Sequence, residues 1–279
     1  MTVINTNIAA SVTANSMKAN ARAMETSMER LSTGKRINSA SDDAAGLGIE
    51  TRMTSQIRGL QQATRSANDG IALLQTADGA ASEINNMLQR MRELAVQAQS
   101  GTLHADDKTN LNLEFAALAT EIDRVAADTT FNQRAILATG TTAFDIGVGA
   151  DETDIITFTP VSLALATTAI YGETLVNMKD TATADNVDTT GVIGHLDAGI
   201  KAIAGQRASY GATINRLEYA VDSLNATILN TQAARSQIVD ADYAAETTEL
   251  ARTQIIAQAS TAMLSQANQQ AQSVLALLK

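Results

Sequence analysis

The chain has 279 residues, no cysteine, two histidines (His104 and His195) and a formal net charge of −10. That excludes a disulfide scaffold, thiolate metal sites and cysteine nucleophiles, leaves the distant histidines a poor basis for a metal centre or a Ser/His/Asp hydrolase, and argues against nucleic acid as a partner. With 45% hydrophobic but only 3% aromatic residues and one proline, burial must rest on Ala, Leu, Ile, Val and Met, a composition suited to long, closely spaced helices.

Near the start, MTVINTNIAAS has neither a basic n-region nor an apolar h-region, and no run of about 18 apolar residues follows anywhere, so neither an ordinary signal peptide nor membrane insertion is expected. By these features alone the chain reads as cytoplasmic. Met17, Ala21, Met24, Met28 and Leu31 then recur at alternating spacings of 3 and 4, the period of a helix that packs along a partner helix. The run INSASDDAAGLG offers Ser41 as an N-cap with Asp42 and Asp43 in the first turn of the next helix.

A long seam follows in Leu74, Ala77, Ala81, Ile84, Leu88, Met91, Ala95 and Ala98, and a second in Leu111, Phe115, Leu118, Ile122 and Val125. His104 sits between them in SGTLHADDK and reads as an exposed loop residue. From Phe131 to about Thr159 the helical period is lost, and FDIGVG and DIITFT read as short strands in a hairpin or two. The GVG of residues 147–149 lacks a third glycine and a following helix, so it is a turn rather than a nucleotide loop. Asp151, Glu152 and Asp154 lack a calcium-loop pattern and read as a solvated acidic turn. Thr-rich material around residues 181–190 suggests an exposed connection.

A third seam, Ile214, Leu217, Val221, Leu224 and Ile228, precedes a terminal one in Leu250, Thr253, Ala257, Ser260, Leu264, Ala267, Ala271, Val274 and Leu278. Both end seams are rich in Ala, Asn, Gln, Ser and Thr, so each turn buries little area. Such helices are expected only when packed on something else. The Met residues read as adaptable packing. The fold class expected is mainly α, a long antiparallel coiled-coil-like bundle with paired terminal helices and a small central β-hairpin.

Several blocks together resemble bacterial flagellin: INTNIAA (4–10), MERLSTGKRINSASDDAAGLGI (28–49), LQRMRELAVQ (88–97), EIDRVAADTTFN (121–132), ARSQIVDADYAAE (234–246) and QANQQAQSVLALLK (266–279). The matching blocks cover about residues 1–150 and 195–279, leaving a centre too short for the extra outer domains of larger flagellins. The resemblance implies residues 1–45 and 236–279 as the inner filament-core domain, 46–138 and 195–235 as the helical shell around it, and 139–194 as a hairpin and short exposed variable region. It implies a self-assembling filament subunit, not an enzyme, exported by the flagellar type III apparatus to the extracellular flagellum without a cleaved signal peptide, which reverses the cytoplasmic reading. Expected partners are copies of itself, an export chaperone, cap and hook-junction proteins, and host Toll-like receptor and cytosolic inflammasome sensors. No cofactor, metal or catalytic residue is expected.

Gln89, Arg90, Glu93, Leu94 and Gln97 lie along one side of the long helix, and Glu114 sits on the next. The residues by themselves read as a solvated face; the resemblance implies that they pack against neighbouring subunits and a Toll-like receptor. Leu275, Leu277 and Leu278 read as a final packed turn, which the resemblance makes a grip for inflammasome sensors. Two alternatives remain at this stage: a hook–filament junction protein, and a cell-surface homologue serving as a polysaccharide-binding or adhesive module. The centre offers the latter only Phe144, Phe158 and Tyr171, and no H-E-x-x-H motif supports an enzyme.

Overall fold

Two kinds of helical seam organise the computed structural model, which describes residues 7–138, 142–163 and 189–276. The chain is mainly α, with five helices and two small antiparallel hairpins among the described residues. It divides into two compact units, one of residues 1–57 with 229–279 and one of residues 58–228. The Thr-rich stretch read as a connection falls almost wholly outside the described residues, as do Leu277 and Leu278.

In the first unit, Asn7 opens α1 (Ile8–Thr33) by accepting the Ala10 amide, and Gly34 closes it in the left-handed region, φ 71°, donating its N–H to the Arg30 carbonyl. A β-carbon is disfavoured at that φ, so glycine suits the stop. α5 (Tyr243–Ala276) starts where the Asp242 carboxylate accepts the Ala244 and Ala245 amides. The two helices run antiparallel. Asn7 Nδ2 donates to the Ala267 carbonyl at 3.1 Å, Asn20 Nδ2 to the Thr253 carbonyl at 2.7 Å, and Arg30 pairs with Glu246 at 3.0 Å.

On α5 the covered stripe is the expected one: Leu250, Thr253, Ala257, Ser260, Leu264 and Ala267 are at least half-buried. On α1 it differs. Met17, Met24 and Leu31 turn inward, but Ala21 is exposed and Met28 is 55% exposed, their places taken by Asn20 and by Ser27 at 3%. Rotating α1 that way exchanges apolar contact for the Asn20 bond and brings small side chains to the seam, where backbones can approach closely.

The connector between α1 and α2 (Ala44–Ala98) also corrects an expectation. Asp43, not Ser41, caps α2, its Oδ1 accepting the Gly46 amide at 2.9 Å. Asp42 Oδ2 instead gathers the Asn38 and Ser39 amides and the Ser39 hydroxyl, while Ser41 meets Ser39 hydroxyl to hydroxyl.

The second unit has an apolar core. Leu74, Ala77, Ala81, Ile84, Leu88 and Met91 are all fully buried, so the long seam of α2 appears as read. On α3 (Ala105–Asp128) the stripe centres on Phe115, Ala119, Ile122 and Ala126, leaving Leu111, Leu118 and Val125 half-buried at its edge. The helix is rotated so that two alanines sit at the centre, where they permit close approach. His104 is exposed, yet it is the N-cap of α3, forming a reciprocal capping box with Asp107. α4 (Thr189–Val239) buries Leu217 and Leu224, as expected, and continues the seam back through Tyr210, Ile203 and Leu196 to Val192.

Reciprocal ion pairs set α4 antiparallel to α2: Arg92 with Asp197 and Arg207 with Asp78. Strands β1 (Thr130–Phe131) and β2 (Arg134–Ala135) are joined through Asn132 and Gln133, both at positive φ, the conformation of a two-residue I′ hairpin turn. Strands β3 (Phe144–Gly147) and β4 (Ile155–Phe158) pair antiparallel, with Phe144, Ile146 and Phe158 facing the core. This hairpin lies close to α2 at Gly70, where an added β-carbon would stand 2.6 Å from Ile146 Cδ1. Phe158 meets Tyr210 edge-on with centroids 5.4 Å apart. The Tyr210 hydroxyl is buried without a well-aligned partner, and burial pushes its pKa up to about 12 against a weak opposing pull from Gln206.

Candidate functional site

On the last turns of α2, Gln89, Glu93 and Gln97 follow at intervals of four residues with Arg90 beside them, and all four side chains are exposed. Arg90 is held from two sides. Its Nε donates to Glu114 Oε1 of α3 at 2.9 Å and its Nη1 to Glu93 Oε2 at 3.1 Å. These two carboxylates, Glu114 the stronger, raise the Arg90 guanidinium above its ordinary pKa. The arrangement therefore fixes an always-charged planar donor between α2 and α3, with the Arg90 side chain still 49% exposed.

Leu94 stands apart from this group. It is 2% exposed and belongs to the core, lining with Phe115 and Leu111 a cleft of about 10 Å3, room for one water at most. A side chain so placed supports the Arg90 face from beneath and offers no surface to a partner. Sequence reading missed two neighbours of opposite character, Val96 at 47% exposure and Leu113 at 66%. Their signal was available as apolar residues outside the 3-and-4 seams, in otherwise polar stretches.

A second candidate surface lies along the terminal pair. Ala23, Thr26, Ser27, Arg30, Ala245, Glu246 and Glu249 line an open groove of about 430 Å3 between α1 and α5. The Arg30–Glu246 pair crosses it with side chains 28% and 14% exposed, and Arg30 Nε is buried without a partner. Several large apolar side chains project outward from the same two helices: Ile8, Val12 and Met28 on α1, and Tyr243, Ile255 and Met263 on α5. By the antiparallel register, Ile8 and Val12 stand at the same end of the pair as Met263. Leu275 lies in helix α5 near its end, and Leu277 and Leu278 lie outside the described residues.

Among the described residues no three His, Cys, Asp or Glu side chains converge as metal ligands, and no helix is long and apolar enough to cross a membrane. The surfaces present chemistry for packing: a fixed guanidinium with amide and carboxylate neighbours, and a helix pair of balanced charge with exposed apolar side chains.

Comparison with known proteins finds two family matches, the bacterial flagellin N-terminal helical region over residues 4–142 and the bacterial flagellin C-terminal helical region over residues 193–278. The flagellin of Halalkalibacterium halodurans is 42% identical, the alignment covering 99% of this chain and 100% of that protein. The flagellar filament 33 kDa core protein of Treponema phagedenis is 39% identical, with 99% and 100% covered. A solved flagellar hook-associated protein from Vibrio parahaemolyticus matches with a TM-score of 0.58 over 71% of this chain and 100% of that one. At 11% identity, that last match is a likeness of fold alone.

Proposed function

Because the chain belongs to the bacterial flagellin family, we propose that its terminal helix pair forms the inner wall of the flagellar filament and its apolar bundle the shell around that wall. It is a structural subunit of the extracellular filament that polymerises with copies of itself, and it is not an enzyme. In this reading residues 1–45 and 236–279 make the inner domain, 46–138 and 195–235 the helical shell, and 139–194 the outermost segment. The observation that carries it is the terminal pair: its helices are formed, yet they leave Ile8, Val12, Ile255 and Met263 between 59% and 66% exposed. A monomer gains nothing from that exposure, whereas a polymer buries it at about 25 cal/mol per Å2 of apolar area.

The exposed Arg90 face, comprising Gln89, Arg90, Glu93, Gln97 and Glu114, serves the same polymer as a lateral packing surface, and a Toll-like receptor of a host engages it on the monomer. Leu94 holds that face in place from the core. The leucines at 275, 277 and 278 pack in the inner wall and are gripped by inflammasome sensors when the free chain enters a host cell. Export through the flagellar type III apparatus requires a chaperone before assembly, and cap and hook-junction proteins at the ends of the filament. Negative-stain microscopy of the purified protein tests the central reading. Long uniform filaments of this chain alone support it, and persistent monomers under assembly conditions overturn it.

A further inference from the structure

With neither cysteine nor tryptophan in the chain, its sulfur lies entirely in nine methionines, and the thioether is the group that a peroxide attacks first. Their placement is uneven. Met1, Met17, Met24, Met28, Met53 and Met263 fall in the unit of residues 1–57 with 229–279. In the other unit Met91 is fully buried and Met87 half-buried, and Met178 lies outside the described residues.

On the two terminal helices the methionines face two ways. Met17 and Met24 turn toward α5 and are half-buried. Met28 and Met263 project outward at 55% and 62% exposure, in company with Ile8, Val12 and Ile255. Their accessibility does not depend on the helix pair being formed, since a terminal segment that unfolds in the free chain bares both thioethers further. The chain itself leaves them open; on the filament reading above, a neighbouring copy covers them. An unbranched, adaptable side chain suits such a contact, yet it brings a chemistry that leucine, of similar volume, does not have.

We propose that Met28 and Met263 are the modification sites of an oxidation-sensitive assembly surface, open to hydroperoxides in the free chain and shielded in the polymer. The link to assembly rests on the filament reading. In the step itself the Sδ lone pair attacks one oxygen of hydrogen peroxide, the O–O bond breaks, an S–O bond forms and water leaves. The sulfur is oxidised by two electrons and the peroxide is reduced. The product carries a polar acceptor oxygen on what was an apolar side chain. Between packed helices the backbone amides are already engaged in their own ladders, so burying that oxygen is costly. An oxidised chain therefore joins the polymer poorly, whereas a chain already in place keeps its thioethers. Reduction by a methionine sulfoxide reductase returns the original side chain, which makes the change reversible.

The test treats free full-length chain and preformed filaments with the same hydrogen peroxide and follows each methionine by peptide mass spectrometry. Met28 and Met263 should gain oxygen at least tenfold faster in the free chain than in filaments, with Met91 slow in both as an internal control. Sedimentation of the treated free chain should show at least fivefold less polymer, and reductase treatment should restore it. Met28→Leu with Met263→Leu keeps the apolar volume but cannot be oxidised, so its treated chain should lose less than twofold. Met17→Leu with Met24→Leu, the matched change on the inward side, should lose polymer as the unsubstituted chain does. Equal oxidation rates in filament and free chain overturn the proposal. So does undiminished polymerisation of the oxidised chain, or an equal loss in the Met28→Leu, Met263→Leu variant. The rate comparison and the reductase arm need no substitution, so the test stands even where the leucine pair assembles poorly. An untreated chain that never polymerises refutes the filament reading, and this proposal with it.

Discussion

The unit of residues 58–228 and the terminal helix pair are both built from 3-and-4 seams, but they bury opposite things. The first encloses Leu74, Ile84, Leu88, Met91, Ile122 and Tyr210 completely. Along α1 and α5 the only described side chains that become buried are Ser27 and Thr253. A seam of large apolar residues stabilises itself, each buried Leu or Ile contributing roughly 1.5–3 kcal/mol, and needs no further partner. The terminal seam relies more on amide-to-carbonyl bonds and one ion pair, each worth about 1 kcal/mol net, covers Met17, Met24, Leu31, Leu250 and Leu264 only in part, and leaves Ile8, Val12, Ile255 and Met263 outside. The difference teaches that the same periodicity can encode a finished core or a half-interface, and that residue size along the stripe distinguishes them.

The strongest way to break this comparison is to remove half of the weaker seam. Deleting residues 250–279 takes away the α5 stripe from Leu250 onward and should abolish polymerisation altogether, while residues 58–228 keep their helices. Pelletable filaments from the truncated chain would refute the division of labour, and loss of helicity across the remaining protein would show that the two seams are not independent.

A paired truncation sharpens it. Leu88 is fully buried, so Leu88→Ala should destabilise the monomer by about 3 kcal/mol, within the usual range for a core leucine. Leu264, only half-buried on α5, should cost the monomer less than about 1 kcal/mol when changed to Ala. In the filament Leu264→Ala should cost more than it does in the monomer, because neighbours complete its burial. Urea titration of monomers and thermal melting of filaments give the four numbers, and a monomer loss at Leu264 matching that at Leu88 would remove the distinction.

How much of this was legible depends on what each stripe is made of. Every member of the Leu74 to Ala98 seam was found in its place, because large residues at strict spacing leave one solution. On α3 the reading slipped by one position, since Leu118 and Val125 look more apolar than Ala119 and Ala126 yet the smaller residues allow the closer approach. On α1 apolarity pointed to Ala21 and Met28, where a hydrogen bond from Asn20 to a carbonyl of α5 decides the rotation, and no sequence period reveals such a bond. His104 reads from the sequence as an exposed loop residue and not as a cap, although Asp107 three residues on completes the capping pattern. Leu94 reads as part of the Arg90 face because it follows Arg90 by four positions, but it stands about 100° round from Glu93, on the side of α2 that meets Leu111 and Phe115, and is buried there.

Arg90 gives a smaller effect with a sharper sign. In the monomer it is exposed and its two ion pairs are solvated, so Arg90→Ala should change unfolding by no more than about 0.5 kcal/mol. If its face packs against a neighbour or a receptor, the guanidinium loses water there and its loss is felt at the partner. Receptor activation by monomer should fall at least tenfold, and filaments should melt earlier. Unchanged values in both assays return Arg90 to an ordinary solvated charge.

The least expected effect concerns acid, and it separates the two regions by chemistry. Asp42 is held below its ordinary pKa chiefly by the amides of Ser39 and Asn38, with the Ser39 hydroxyl adding to them. A carboxyl whose folded pKa is depressed contributes stability that is present above its unfolded value, near 3.9, and is lost as pH falls through the folded value. The connector that closes around Asp42 should therefore hold at neutral pH and loosen only below about pH 3.9. The apolar seam of residues 74–98 contains no such group at its centre and should not respond over the same range. Amide NMR of Asn38 and Ser39 should show a titration midpoint below that of an ordinary aspartate, while the amides around Ile84 stay still. Asp42→Asn keeps an acceptor oxygen but cannot titrate, so the connector should persist and its acid response should vanish. A midpoint at or above the ordinary value would mean that the three bonds to Asp42 do not favour its charged form, and the connector would then owe its closure to Ile37, which is 2% exposed and packs at Gly46.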